Sequence, residues 1–365
     1  MVRLTRSQQQ ERTRASVMVA ARQEFIEHGY APAKVDRIAE RAELTRGAVY
    51  SNFPSKRALY LSVLVDLVQA ADPVEPATGP SSPRDALGAF ARTWLERLPL
   101  VEDTAAGGRL QLRSLLGAID DERDRTVLAQ VVRLEALLLA VGLESCEPGG
   151  AAPRRVRAAE LALTLLGGSG FLAELAPGFG DPFDQARACE QLAGLDLDDT
   201  WAPAYLPYLE PAAPCRDSWT PPAGLPDQLT GDPVDLGIDG VVTVLGAHRL
   251  GAAEEAIRSA RSGEQVTIVL VTGDPAETGT LVRLRISDLV QCLRRVFPAG
   301  TWQHLRLIID DEAAVASAIG LPGIDDETEA AARVRGGVIV ARAQGRGAAY
   351  ATSLTGSTPD SRATT

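Results

Sequence analysis

A chain of 365 residues with 45% hydrophobic side chains is long enough for two or three domains and apolar enough to bury real cores. Its 37 Lys+Arg against 48 Asp+Glu give a formal net charge of −11, which argues against a protein that coats nucleic acid along its whole length. The charge is uneven: residues 1–60 hold 11 basic and 6 acidic side chains, residues 61–230 hold 13 and 25, and residues 231–365 hold 13 and 17. Both lysines (Lys34, Lys56) and the lone asparagine (Asn52) fall in the basic end. Cys146, Cys189, Cys215 and Cys292 are scattered, and only three histidines accompany them. That pattern excludes a zinc or disulfide framework and predicts free, buried thiols with no metal and no cofactor. No stretch reaches the ~18 consecutive apolar residues of a membrane helix, and the polar start MVRLTRSQQQERTR lacks a signal-peptide core. A cytoplasmic protein without membrane contact is expected.

In chain order, residues 7–28 read as a helix with Val17, Ala21 and Phe25 on one face, stopped at Gly29. A short helix follows from Lys34 to Arg41, with Val35, Ile38 and Ala39 as its apolar face. The joint Ala42-Glu43-Leu44 leads to Thr45, a candidate N-cap, and a third helix runs to Asn52. Pro54-Ser55 restarts the chain into a fourth helix over 55–71. Beyond the Pro-rich loop 72–83, helical patterns occupy 84–98, 108–119, 121–143, 153–175 and 181–193. Residues 196–236 form an acidic, Pro-rich linker containing Trp201, Tyr205, Tyr208 and Trp219. Strand-like runs follow at 240–245, 265–272, 304–310, 337–341 and 348–354. Helical patterns at 250–262, 279–297 and 311–320 separate the first four, and Gln344-Gly345-Arg346-Gly347 supplies the turn of a last hairpin. The order implies a separate α/β domain over 237–355, followed by a disordered tail at 356–365.

The pattern at 34–53 fits a helix-turn-helix, two short helices joined by a tight turn. A helix entering the major groove needs small residues where backbones approach, polar groups at its start and apolar residues behind. Thr45, Arg46, Gly47 and Ala48 supply the first two, and Val49 and Phe53 the third. Lys56 and Arg57 in the first turn of the fourth helix oppose its dipole unless an anion such as a phosphate lies at the helix start.

The run RIAERAELTRGAVYSNFPSKRALY (37–60), with FIEHGY (25–30) upstream, resembles the DNA-binding region of TetR-family transcriptional regulators over residues 7–70. The resemblance implies an all-α regulator followed by the separate α/β domain. Its parts would be a three-helix head over 1–54 and a ligand-binding and dimerisation body over 55–195. Lys34, Thr45, Arg46, Gly47, Tyr50, Ser51, Asn52 and Lys56 would face double-stranded operator DNA. Arg46, Tyr50, Ser51 and Thr45 would choose bases, and affinity would fall steeply with salt. Helices 153–175 and 181–193 would form the homodimer interface, with Gly167-Gly168-Ser169-Gly170 permitting close approach; a kink at these glycines is the other reading. Trp94, Arg109, Gln111 and Arg113 are the candidates for binding a small-molecule inducer. Two departures stand out. Ala33 and Lys34 occupy the start of the second helix, where the family carries Ser or Thr. Glu43 stands where it carries Gly, and would be strained at positive φ.

Residues 308–321 and 335–350 resemble the thioredoxin-like fold, peroxiredoxins in particular; a flavodoxin-like parallel sheet is the other reading. The redox position, at the helix start after the second strand, reads Gly273-Asp274-Pro275-Ala276-Glu277-Thr278, without cysteine. A redox-inactive domain used for sensing or contacts, and no enzyme, is therefore expected. The sequence reads as a ligand-responsive repressor acting as a homodimer on a palindromic operator. The alternative makes the α/β domain an enzyme or redox module under control of the head, with Cys292 as its thiol.

Overall fold

The computed structural model describes residues 5–70, 78–97, 115, 117–119, 121–147, 153–176, 178–201, 203 and 205–354. The expected helix 108–119 falls largely outside the described residues, and the tail 356–365 falls outside them altogether. The chain forms two compact units. A helical unit comprises 1–128, 139–197 and 274–298, and a sheet unit comprises 129–138, 198–273 and 299–365.

In the helical unit, α1 (Arg6–His28) opens on a reciprocal cap. The Gln8 N–H donates to Thr5 Oγ1 at 3.3 Å, and the Thr5 N–H donates to Gln8 Oε1 at 2.9 Å. Gly29 at φ 73° closes the helix, a conformation that favours glycine. α2 (Val35–Arg41), α3 (Arg46–Asn52) and the buried face of α1 share a core of Val17, Ala21, Phe25, Ile38, Val49 and Phe53. α4 (Lys56–Gln69) starts at Ser55, whose hydroxyl accepts the Ala58 N–H at 2.9 Å. α5 (Pro83–Leu95), α6 (Glu122–Glu144) and α8 (Pro182–Leu192) are capped by Ser82, Asp121 and Asp181 respectively. α7 (Val156–Leu175) runs unbroken through Gly167-Gly168-Ser169-Gly170, so the helix does not break there. α6 and residues Val156–Ala173 of α7 are long and apolar enough to cross a membrane by length and composition; 61% of the relevant window in α6 is buried within the protein.

The sheet unit carries a 6-stranded sheet in the order β1-β6-β5-β2-β3-β4. The strands are β1 (Ala213–Ser218), β2 (Gly240–Gly246), β3 (Gln265–Val271), β4 (Leu305–Ile309), β5 (Glu329–Arg335) and β6 (Val338–Gln344). β2, β3 and β4 are parallel, while β5, β6 and β1 pair antiparallel. α9 (Ala253–Ser259) joins β2 to β3, α11 (Ala314–Ala318) follows β4, and α12 (Ala348–Leu354) follows β6. The helix between β3 and β4, α10 (Thr280–Val296), belongs to the helical unit and packs on α4 and α5. There the Arg97 guanidinium donates to the Asp288 carbonyl at 3.0 Å and pairs with its carboxylate. Phe297 lies against Gly142, where a Cβ would stand 2.7 Å from the ring.

Three sequence expectations change here. Residues 348–354 are helical, because Ala348, Ala349, Ala351 and Thr352 are all buried and no strand face alternates. Gly345 and Gly347 therefore lead into α12, and the hairpin turn is Gly336-Gly337, both at positive φ. β5 was not expected as a strand. Residues 213–218 pair with β6 as an edge strand. Trp219 is buried, its indole N–H donating to the Leu236 carbonyl at 2.7 Å, so the later part of the expected linker is sheet-unit structure.

Candidate nucleic-acid interface

The helix-turn-helix is set from behind by one buried carboxylate. Glu24 of α1 has no exposed surface and lies 3.6 Å from Arg37, 3.5 Å from Arg41 and 3.7 Å from His28. It also accepts the Lys34 N–H at 3.2 Å. Lys34 offers no side-chain cap to α2, and Glu24 satisfies a donor at that helix start from outside the helix. The turn is closed by the Glu43 N–H donating to the Glu40 carbonyl at 3.1 Å and the Leu44 N–H to the Ala39 carbonyl at 2.9 Å. Glu43 sits at φ 54°, the strained position expected for it.

Thr45 caps α3, accepting the Ala48 N–H at 3.2 Å. Val49 and Phe53 anchor the helix in the core, and Thr45, Arg46, Gly47, Tyr50 and Ser51 form its exposed face. The Arg46 guanidinium lies 5.4 Å from the Tyr50 ring centre and donates to Asp36 at 3.2 Å. Tyr50 and then Asp36 hold its pKa above the usual arginine value. At Gly47 an added Cβ would find its nearest neighbour at 3.8 Å, so the fold itself leaves open the space that glycine provides. The Ser51 hydroxyl and the Asn52 amide both donate to the Ala48 carbonyl at 2.9 Å, and Asn52 is half-buried.

Lys34 is exposed. Lys56 is half-buried: its ammonium donates to the carbonyls of Ala31 (3.1 Å) and Ala33 (3.3 Å) and lies 4.6 Å from the Tyr30 ring centre. Burial pulls its pKa down. Arg57 departs from the expectation of a bound phosphate. Its guanidinium pairs with Asp124 at 2.7 Å and Glu277 at 3.0 Å, so carboxylates of the same unit answer its charge. Trp94 is a core residue of α5, 5.7 Å from Phe90, and Arg109, Gln111 and Arg113 lie outside the described residues.

Sequence reasoning missed the start of α1. Thr5, Arg6, Gln9, Gln10 and Thr13 face Ser51 and Asn52 across a polar groove of about 540 Å³. The signal was present: α1 buries nothing before Val17, leaving about three turns of polar helix, of which Arg14 reaches back to the Asn52 carbonyl at 3.2 Å and lies 4.2 Å from the Phe53 ring centre.

Residues 17–63 match the family model for the bacterial regulatory proteins of the tetR family. The helical N-terminal region is TetR-like. Among curated proteins, the chain is 35% identical over 96 residues to the probable HTH-type transcriptional regulator ArpR of Pseudomonas putida. It is equally similar, over the same length, to the HTH-type transcriptional regulator TtgR of the same species. Each match covers 26% of this chain and 45% of the relative, so the chain spans less than half the length of the curated relatives it matches. Among solved structures, NalD of Pseudomonas aeruginosa aligns with a TM-score of 0.33 at 21% identity, covering 50% of this chain and 94% of that one. The matched residues in the TetR-like head contain the turn at Glu43, all of α3 and the start of α4.

Proposed function

We propose that the protein is a sequence-specific DNA-binding transcriptional regulator, a homodimeric repressor that a small ligand releases from a palindromic operator. The observation that carries this reading is the exposed face of α3, where Thr45, Arg46, Gly47, Tyr50 and Ser51 stand free of the core on a helix anchored by Val49 and Phe53. Lys34 and Arg6 add positive charge beside it for phosphates. Base choice rests on Arg46, whose fork matches guanine O6 and N7, and on Tyr50.

Dimerisation is supported by an apolar stripe on α7. Leu161, Leu165, Gly168, Leu172 and Leu175 recur at helical spacing, and Leu161, Leu172 and Leu175 are 42%, 38% and 62% exposed. An added Cβ at Gly168 would meet nothing within 4 Å, which leaves room for a second backbone. Two heads related by a two-fold axis call for half-sites about one helical turn apart. Ligand control follows from the TetR-family resemblance of residues 7–70 alone. Ligand and operator affinities would be reciprocally coupled.

For the sheet unit we infer a thioredoxin-like arrangement without redox chemistry. Parallel β2 and β3 flanked by the β5–β6 hairpin and terminal α12 support it. Cys292 is buried on α10, with Arg97 donating to its Sγ at 2.9 Å, away from a helix start. A sensing or docking role fits better than catalysis.

The test is selection of duplexes from a random pool by the full chain, followed by gel-shift titration. Tyr50→Ala and Lys56→Ala are expected to abolish binding to the selected duplex while leaving the oligomer and its circular dichroism intact. Normal binding by both variants would show the head assignment to be wrong.

A further inference from the structure

α4 begins with Ser55, Lys56 and Arg57 and has no acidic residue in its first turn. Free N–H groups, the helix dipole and the Arg57 guanidinium together make a site for an anion, while the Lys56 ammonium is held by the Ala31 and Ala33 carbonyls. In the structure that anion is a side chain of the same protein. The Glu277 carboxylate accepts from the Ser55 hydroxyl through Oε1 and pairs with Arg57 at 3.0 Å through Oε2. Asp124 completes the node at 2.7 Å from Arg57. Glu277 is firmly held. It lies in a π-helical turn, Pro275–Gly279, whose N-cap Asp274 accepts the Glu277 N–H at 3.2 Å, and the next residues, Thr278 and Gly279, are buried. Such turns are uncommon and gather at functional positions. Its side chain keeps 25% of its surface exposed, so the carboxylate remains accessible from solvent.

The position of this carboxylate in the chain gives the contact its meaning. Glu277 comes six residues after the last residue of β3, in the crossover that continues into α10. A segment contributed by the α/β part of the sequence therefore reaches the start of the helix that follows the recognition helix.

We propose that Glu277 is an internal phosphate mimic. It occupies the anion position at the start of α4 and lowers DNA affinity until a backbone phosphate takes its place on Ser55 and Arg57. The inference rests on the DNA-binding reading above. The exchange trades one carboxylate for one phosphate on Ser55 and Arg57. It makes the π-turn, rather than the recognition helix, the element whose displacement tunes affinity.

The experiment compares the full wild-type chain with Glu277→Gln, which keeps the shape and one accepting oxygen but removes the charge, and with Glu277→Ala. Each is titrated with the duplex selected by wild type and with an unrelated duplex of equal length, between about 50 and 200 mM KCl. Both variants are expected to bind about tenfold more tightly at the lowest salt. Because wild type and variants would contact the same phosphate in the complex, the slope of log affinity against log salt should stay the same and the gain should persist across the salt range. An affinity unchanged from wild type in both variants, or weaker binding by Glu277→Gln with its melting temperature preserved, overturns the proposal. If the wild-type chain selects no duplex at all, the DNA-binding reading fails and this inference falls with it.

Discussion

Glu43 is the clearest single-residue compromise in the head. A non-glycine residue at φ 54° carries roughly 1–2 kcal/mol of backbone strain, and glycine returns about 0.4–1 kcal/mol of that through its freer unfolded chain. Glu43→Gly should therefore stabilise the α2–α3 turn by a net of roughly 0.5–1 kcal/mol. Amide hydrogen exchange across residues 38–52 should slow by roughly 2–5-fold. Cys189 makes a second prediction. It is buried in α8, and burial, then the neighbouring Glu190, push its pKa from 9.0 up to about 12. A thiol whose folded pKa is raised contributes stability that is complete below pH 9 and is lost as the pH climbs towards 12. At about pH 8 it should resist iodoacetamide in the native chain and react once urea unfolds it, as peptide mass spectrometry would show. Burial likewise raises the pKa of Cys146 and Cys215, so none of these three thiols is poised as a nucleophile.

Elements differ in how openly the sequence declares them. Gly29, Thr45 and Ser55 mark helix ends by local chemistry that needs nothing from the rest of the fold, and α1, α3 and α4 are legible for that reason. The cap of α2 is not local. Glu24 supplies it from ten residues away, which only the folded arrangement reveals. β5 reads EAAARVR, rich in alanine, and becomes a strand because β2 and β6 pair with it on both sides. β1 contains Pro214 and five exposed residues, and exists as an edge strand through its pairing with β6. Within the site, the exposed face of α3 was readable, whereas the partners of Arg57 were not, since Glu277 lies 220 residues away in sequence. The stripe on α7 was half readable: Gly167-Gly168-Ser169-Gly170 marked the helix for close approach, and the exposure of Leu161, Leu172 and Leu175 distinguishes the stripe from core. On the proposed dimer, Leu172→Glu, placing a charge within this stripe, should leave monomers in sedimentation at micromolar concentration, with helical circular dichroism retained.

At the scale of the whole molecule, the charge of −11 sums unlike parts, and only the first 60 residues are net basic. An acidic remainder is repelled by a duplex and directs the basic end towards it. The two units are also not consecutive in sequence. A chain ended after Leu236 would lack α10, and the faces of α4 and α5 that it covers would meet water, at roughly 1.5–3 kcal/mol for each Leu-sized side chain uncovered. Such a truncation should show a lower urea midpoint than the full chain and should bind the dye ANS, although it retains every residue of the TetR-like head.

The same interleaving bears on synthesis. The helical unit's second segment ends at residue 197 and its last begins at 274 and finishes at 298, so about 100 further residues must be translated before the unit is whole. At ribosomal speeds of roughly 5–20 residues per second, that interval is about 5–20 s. During it the nascent head waits with α4 uncovered and the anion position at Ser55 empty of its carboxylate. Newly made chains would thus pass through a brief stage when, by the phosphate-mimic argument, the head is at its least restrained.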